Sequence, residues 1–190
     1  MFARTFVALI ALTTFGIALA SPDSEAHGPS QMIADQIRSA AGSDAAWVPA
    51  GMLKDSFSPN DLATLVQFPS EEVAVVNLRG SQVRAALEKA ISIYPASSSA
   101  FLQVSGLEVV FSKSAPPDKR IVSVTIGGGK LDDGRNYTIA MPLTLARGGY
   151  GYFKVWDKNQ ITRTLENTTL DSLLKGKRAA ETSPRWIGQS

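Results

Sequence analysis

The sequence predicts an α+β or mixed α/β fold, a mixed sheet with helices packed against it. Apolar residues recur at helical spacing around residues 32–40 and 83–91. Runs of strand length, rich in β-branched residues, lie at 72–78, 101–111, 120–126 and 137–141. These elements are interspersed without the regular strand–helix alternation of a doubly wound sheet.

The first helix rests on Met32, Ile33, Gln36, Ile37 and Ala40, with Gly42 where a left-handed C-cap belongs. A short strand, Ala45 to Val48, follows. The loop Pro49–Lys54 leads to Ser58-Pro59, read as an N-cap and first-turn proline opening a short helix through Leu62 and Leu65. Glu72 to Leu78 (EVAVVNL) is rich in β-branched residues, as a strand is. Gly80-Ser81 stops it, and Ser81 is placed to cap an amphipathic helix whose face is Val83, Ala86, Leu87, Ala90 and Ile91. After a serine-rich loop, two long strands are expected, Phe101–Phe111 and Arg120–Ile126, turned by Pro116-Pro117-Asp118. Gly127–Gly129 and Asp132-Asp133-Gly134 read as turns, Tyr137–Met141 as a strand and Thr169–Leu174 as a last short helix. Residues 21–30 read as a flexible leader, 31–175 as the domain and 176–190, which lose all periodicity, as a flexible tail.

Residues 1–20 carry the pattern of an export signal: Arg4, an apolar run from Phe6 to Leu19, and the small-x-small site Ala18-Leu19-Ala20. The run is short for a membrane span. Cleavage after Ala20 would leave Ser21 as the mature N-terminus, in the periplasm or medium and free of the membrane. The remaining 170 residues of the 190 suit one domain with a sizeable core. Nineteen basic residues face 17 acidic ones, a net charge of +2. Such balance argues against a nucleic-acid partner, which needs a concentrated basic face. With no cysteine, thiol catalysis and thiolate metal sites are excluded.

Candidate chemistry is sparse. Metal-assisted phosphate-ester hydrolysis draws on several His and Asp side chains, and the one histidine, His27, falls in the leader, where it reads as a solvated linker residue. There is no G-x-S-x-G for a serine nucleophile. Gly127-Gly128-Gly129-Lys130 lacks both the earlier glycine and the following Ser/Thr of a phosphate loop. No catalytic residue, metal ligand or cofactor is therefore assigned. Binding chemistry is better represented. Phe101 and Gln103 share one face of a strand, an aromatic plane beside a side chain that both donates and accepts. Gly148, Gly149 and Gly151 let a backbone approach a ligand closely and carry Tyr150 and Tyr152. On the residues alone, Phe101 is equally a core ring, and the glycine loop equally a tight turn holding two tyrosines.

The stretches Phe101–Leu107 (FLQVSGL) and Ala146–Phe153 (ARGGYGYF) together resemble the C-terminal, substrate-binding domain of the 5'-nucleotidase family. Met32-Ile33-Ala34-Asp35 to Ala41-Gly42 is similar to the family's opening "NLIADA…AAG". Phe68 and Glu72 to Ala86 are similar to its "LPF…VVVELTGAQLKEAL". FLQVSGLEVVFS with APPDKRIVSVTI looks like its two-strand signature. Order and spacing agree along the mature chain. The resemblance implies a single 5'-nucleotidase C-terminal-like domain without the family's metallophosphatase half.

The residues and the resemblance together give a candidate ligand-binding set, Phe101, Gln103, Lys54, Gly148, Gly149, Tyr150 and Tyr152, in which the resemblance implies that Phe101 stacks on a base at the exposed side of its strand. Several contact positions depart from the family. Its "NxGGIR" loop reads Pro49-Ala50-Gly51-Met52-Leu53-Lys54, so arginine has become Lys54, which keeps the charge and loses the bidentate fork. The second stacking ring aligns with Thr144, and the acid of "GGDG", which grips ribose hydroxyls, with Tyr150. Three functions follow as expectations: a weak binding module for a nucleotide, nucleoside or similar aromatic metabolite; a structural or partner-docking protein with a vestigial cleft, paired with a separate metallophosphatase; and a self-sufficient nucleotidase, which a single histidine disfavours.

Overall fold

A computed structural model describes residues 21–190; the export signal expected over residues 1–20 lies outside the described residues. The architecture follows from one five-stranded sheet with apolar residues on both faces. Its order is β3-β1-β7-β2-β8. β1 (Ala45–Pro49), fully buried, pairs antiparallel with β3 (Leu102–Ser105) and parallel with β7 (Asn136–Pro142). β2 (Glu72–Arg79) lies antiparallel between β7 and β8 (Ile161–Thr169). Ala45 and Trp47 join one core, Ala46 and Val48 the other. Likewise Ala74, Val76 and Leu78 point one way, and Val73 and Val75 the opposite way. A sheet buried on both faces needs near-continuous apolar strands, which is why EVAVVNL reads as it does.

One face is covered by α1 (Gly28–Ala41) and α4 (Leu170–Leu174). Ile33, Ala34, Ile37 and Ala41 of α1 are buried there, and Gly42 ends the helix in the left-handed region at φ 59°. The other face receives α2 (Gly80–Ala90) and a second, four-stranded sheet of order β6-β5-β4-β9. This sheet is built from β4 (Leu107–Ser112), β5 (Ile121–Ile126), β6 (Gly129–Lys130) and β9 (Trp186–Gln189). α3 (Leu143–Ala146) and a 3-10 segment, Gly149–Lys154, follow β7. Among the described residues no helix is long and apolar enough to cross a membrane.

The expected mixed α/β architecture is present, with several local corrections. The run Phe101–Phe111 is two strands in two different sheets, because Gly106 (φ 78°) breaks it at a point where a side chain would overlap the Asp44 carbonyl. The short helix after the Pro49–Lys54 loop is a 3-10 turn, Leu62–Leu65. Asp61, not Ser58, caps it, by accepting from Ala63 N at 3.1 Å. β2 runs straight into α2 with Arg79 at the N-cap, its N–H donated to Gln82 Oε1; Ser81, the second residue of the helix, lies too late to cap. On α1 it is Ala41, not Ala40, that is buried. β8 was not expected, because ITRTLENTT is a sheet edge whose side chains are mostly exposed.

Neither terminal segment is loose. Gln103 anchors the leader by donating to Pro22 O at 2.8 Å and Glu25 O at 2.7 Å, and Ser98 N donates to Asp23 O at 2.9 Å. His27, expected as a solvated linker residue, is 6% exposed and stands at the N-cap of α1. The tail is equally fixed. Arg185 pairs with Asp35 (2.7 Å) and donates to Val104 O, and β9 adds parallel to β4 with Trp186 opposite Val109. These segments lack periodicity because their partners are distant in sequence, so polar tertiary bonds take the place of an amphipathic face.

Candidate functional site

Three sequence-distant segments meet at one end of the five-stranded sheet. β1 ends in the 3-10 turn Ala50–Met52, whose Ala50 N donates to Phe101 O (2.8 Å) and Gly51 N to Ser99 O (2.9 Å). The loop after α3 closes on the same place: Tyr152 Oη donates to Ala100 O at 2.7 Å, and the Tyr150 ring lies against Gly51, where a Cβ would overlap its Cε1. The glycines are required by close approach. A Cβ on Gly148 (φ 87°) would sit 2.7 Å from Phe153 Cα, and one on Gly149 would sit 2.7 Å from Thr144 O. Tyr150 itself is held at φ 56°, a region tyrosine rarely adopts.

The individual side chains sit differently from the sequence expectation. Phe101 is not on an exposed side: it is 2% exposed, with its ring 5.1 Å from that of Trp186 and tilted 39°. Trp186 is held in turn by Nε1 donating to Leu102 O at 2.8 Å and by an edge contact with Phe111. Gln103 is fully buried. Its amide is used up by the leader: Oε1 accepts from His27 N, and Nε2 donates to Pro22 O and Glu25 O. Tyr152 is fully buried, stacked 4.8 Å from Trp156, with Lys89 Nζ 5.2 Å above its ring. Burial pushes its phenol pKa well above 10. The burial of Phe101, Gln103 and Tyr152 closes them to a ligand in this conformation.

What stays accessible is the rim. Lys54 and Thr144 are exposed, Gly149 and Tyr150 half-buried. Thr144 N donates to Glu71 Oε1 at 2.6 Å. Burial, and then the Glu71 carboxylate, raise the Tyr150 pKa, so its hydroxyl stays neutral at physiological pH. Phe153 (67% exposed) follows Gly148, and Phe68 (49% exposed) opens the turn that positions Glu71. Sequence reasoning missed Trp186, Glu71 and the burial of Gln103. A lone tryptophan in an aperiodic stretch was the one available signal for the first. Among the described residues no three His, Cys, Asp or Glu side chains converge as a metal site would require. Here the Phe101 ring is covered by the chain's own Trp186, Tyr150 lies over Gly51, and Lys89 Nζ stands beside Gly151.

The model of the 5'-nucleotidase C-terminal domain matches residues 9–157. The chain belongs to the 5'-nucleotidase C-terminal domain family. The match begins inside the segment read as an export signal and ends before β8. A snake venom 5'-nucleotidase from Naja atra is 31% identical over 87 residues, 42% of this chain and 16% of that protein. A 5'-nucleotidase-related protein of Glossina morsitans morsitans is 28% identical over 141 residues, 66% of this chain and 24% of its own length. In three dimensions the fold resembles a 5'-nucleotidase precursor from Thermus thermophilus (TM-score 0.70, 23% identity), covering 88% of this chain and 36% of that one. The chain thus matches about a third of that solved structure and a quarter or less of these curated relatives.

Proposed function

We propose that this protein is an exported, non-catalytic member of the 5'-nucleotidase C-terminal domain family, tied to nucleotide catabolism by kinship. Its old substrate cleft is filled by its own side chains, and it works by docking to a separate exported metallophosphatase. The observation that carries this reading is the covered Phe101 ring, 2% exposed against Trp186. Tyr150 over Gly51 supports it, taking the place where the family resemblance puts an acid. Docking is supported by the exposed rings of Phe68 and Phe153, which flank the filled cleft on turns joined through Glu71, Thr144 and Gly149. Large exposed aromatics at one rim are the usual anchors of a protein interface.

The test combines three measurements on the mature chain. Calorimetric titration with AMP and with adenosine is expected to be silent. Phosphate release from AMP with added divalent metal is expected to stay at background. Co-elution with a metallophosphatase of the same host is expected, and is lost in the double variant Phe68→Ser, Phe153→Ser. Chelator-sensitive phosphate release by the pure chain, or co-elution that survives the double variant, would sink the reading.

A second reading, a weak binding module for an aromatic metabolite bearing an anionic group, is favoured by one observation. Lys54, three residues after Gly51, is exposed, and Gly148, Tyr150 and Gly151 keep left-handed backbone. It requires saturable AMP binding that Lys54→Ala weakens.

A further inference from the structure

The N-terminus of α1, the loop Asp55–Pro59 and the arm Ala179–Glu181 line a half-open cavity of about 430 Å³ that shares no residue with the Gly51, Phe101 and Tyr150 cluster. That volume is in the range of small-molecule sites. Its walls are mostly apolar, with Phe57, Pro29, Pro59 and Ala179. His27 forms part of the wall, edge-on to Phe57 with ring centroids 6.3 Å apart.

This imidazole is the unexplained feature. It is 94% buried by its 6% exposure, and its Nδ1 lies 2.6 Å from Ser30 Oγ. Among the described residues its Nε2 has no hydrogen-bond partner. With Nδ1 engaged by Ser30, Nε2 is the ring nitrogen left to meet a ligand at this wall. In the tautomer whose Nδ1–H donates to Ser30, Nε2 is an acceptor. The charged residues of the lining are Asp55 and Glu181, both acidic and exposed.

We propose that this cavity binds a small aromatic or alicyclic amine. Its apolar body packs on Phe57 and the two prolines, and its ammonium group lies between His27 Nε2 and the acidic mouth. Burial, opposed by Glu181, lowers the His27 pKa below 6.5, so the ring is neutral at neutral pH and accepts from a cation instead of repelling it.

His27 is the single histidine of the chain, so its ring signals in an NMR spectrum are unambiguous. Purified protein is titrated at neutral pH with benzylamine, and separately with benzoate as the anionic control. The expected result is a saturable shift of the His27 ring signals with benzylamine and none with benzoate. Ala180→Trp places a ring in the cavity from an exposed position and is expected to weaken benzylamine at least tenfold while the protein stays folded. Phe57→Ala is expected to weaken it in the same direction. No saturable shift with benzylamine, equal binding of benzoate, or undiminished binding in Ala180→Trp overturns the proposal. All three outcomes are independent of whether AMP binds elsewhere or a partner docks at the Phe68–Phe153 rim.

Discussion

Replacing Trp186 by alanine probes whether the C-terminal segment is a structural part of the core. The indole is 5% exposed, lies against Phe101 at 5.1 Å and Phe111 at 6.1 Å, and donates to Leu102 O. Truncating a buried tryptophan costs about 3–5 kcal/mol in transfer and cavity terms. The Leu102 carbonyl, left without its donor, adds to the upper part of that range. A domain of this size is stable by roughly 5–15 kcal/mol, so the variant stays mostly folded with a much reduced margin. At about 2–4 °C per kcal/mol, the expected fall in Tm is roughly 6–20 °C. Urea unfolding followed by circular dichroism reads the loss as a lower midpoint at unchanged slope. Trp186→Phe keeps most of the contact area and loses the hydrogen bond, for about 1–3 kcal/mol. A cost below about 1 kcal/mol for Trp186→Ala would refute the reasoning. The segment would then be a loose cover, and the Phe101 face would be available to ligands after all.

Four further outcomes are expected. Gly51→Ala destabilises by about 1–3 kcal/mol because its Cβ drives into the Tyr150 ring, and the penalty largely disappears in a Tyr150→Gly background, as a double-mutant denaturation cycle would register. Gly106→Ala meets both a positive φ and the Asp44 carbonyl; it is expected to be strongly damaging, read as lost soluble yield or a lower Tm. Arg84→Ala, which breaks a solvated ion pair with Asp133 (2.9 Å), changes stability by less than about 1 kcal/mol by urea midpoint. For His27 the folded pKa lies below the ordinary 6.5, so between the two values the unfolded chain binds more protons. Its contribution is present in full above pH 6.5 and is lost as pH falls from there through the folded pKa. A His27→Gln variant shows a flatter Tm profile across that window.

The sequence was most legible where local pattern and tertiary role coincide. α1 carries its own C-cap and apolar stripe, and β2 and β7 carry the apolar runs Val73–Val76 and Ile139–Pro142 of strands buried on both faces. It was least legible where a residue's role depends on a distant partner. Nothing around Phe101 announces that residue 186 will cover it, and Gln103 looks like a free hydrogen-bonding group until the leader folds over it. The glycine loop was read either as a backbone approach to a ligand or as a tight turn holding two tyrosines. What it approaches, however, is the chain itself: Thr144, Phe153 and, through Tyr150, Gly51. The family resemblance located the three converging segments. The cover of Phe101 by Trp186 and of Gly51 by half-buried Tyr150 is what no spacing rule encodes.

The strand order carries a kinetic consequence. In the sheet β3-β1-β7-β2-β8, no two neighbours are consecutive in the chain, so no hairpin can nucleate it and every ladder waits for a long loop to close. In the smaller sheet, β4, β5 and β6 follow one another as antiparallel neighbours. Folding is therefore expected to begin with that meander and α2 and to end with the larger sheet, at the slow rates typical of high contact order. Until then EVAVVNL and its partner β7 stay unpaired and apolar, so aggregation during refolding should depend on concentration and start from these two strands.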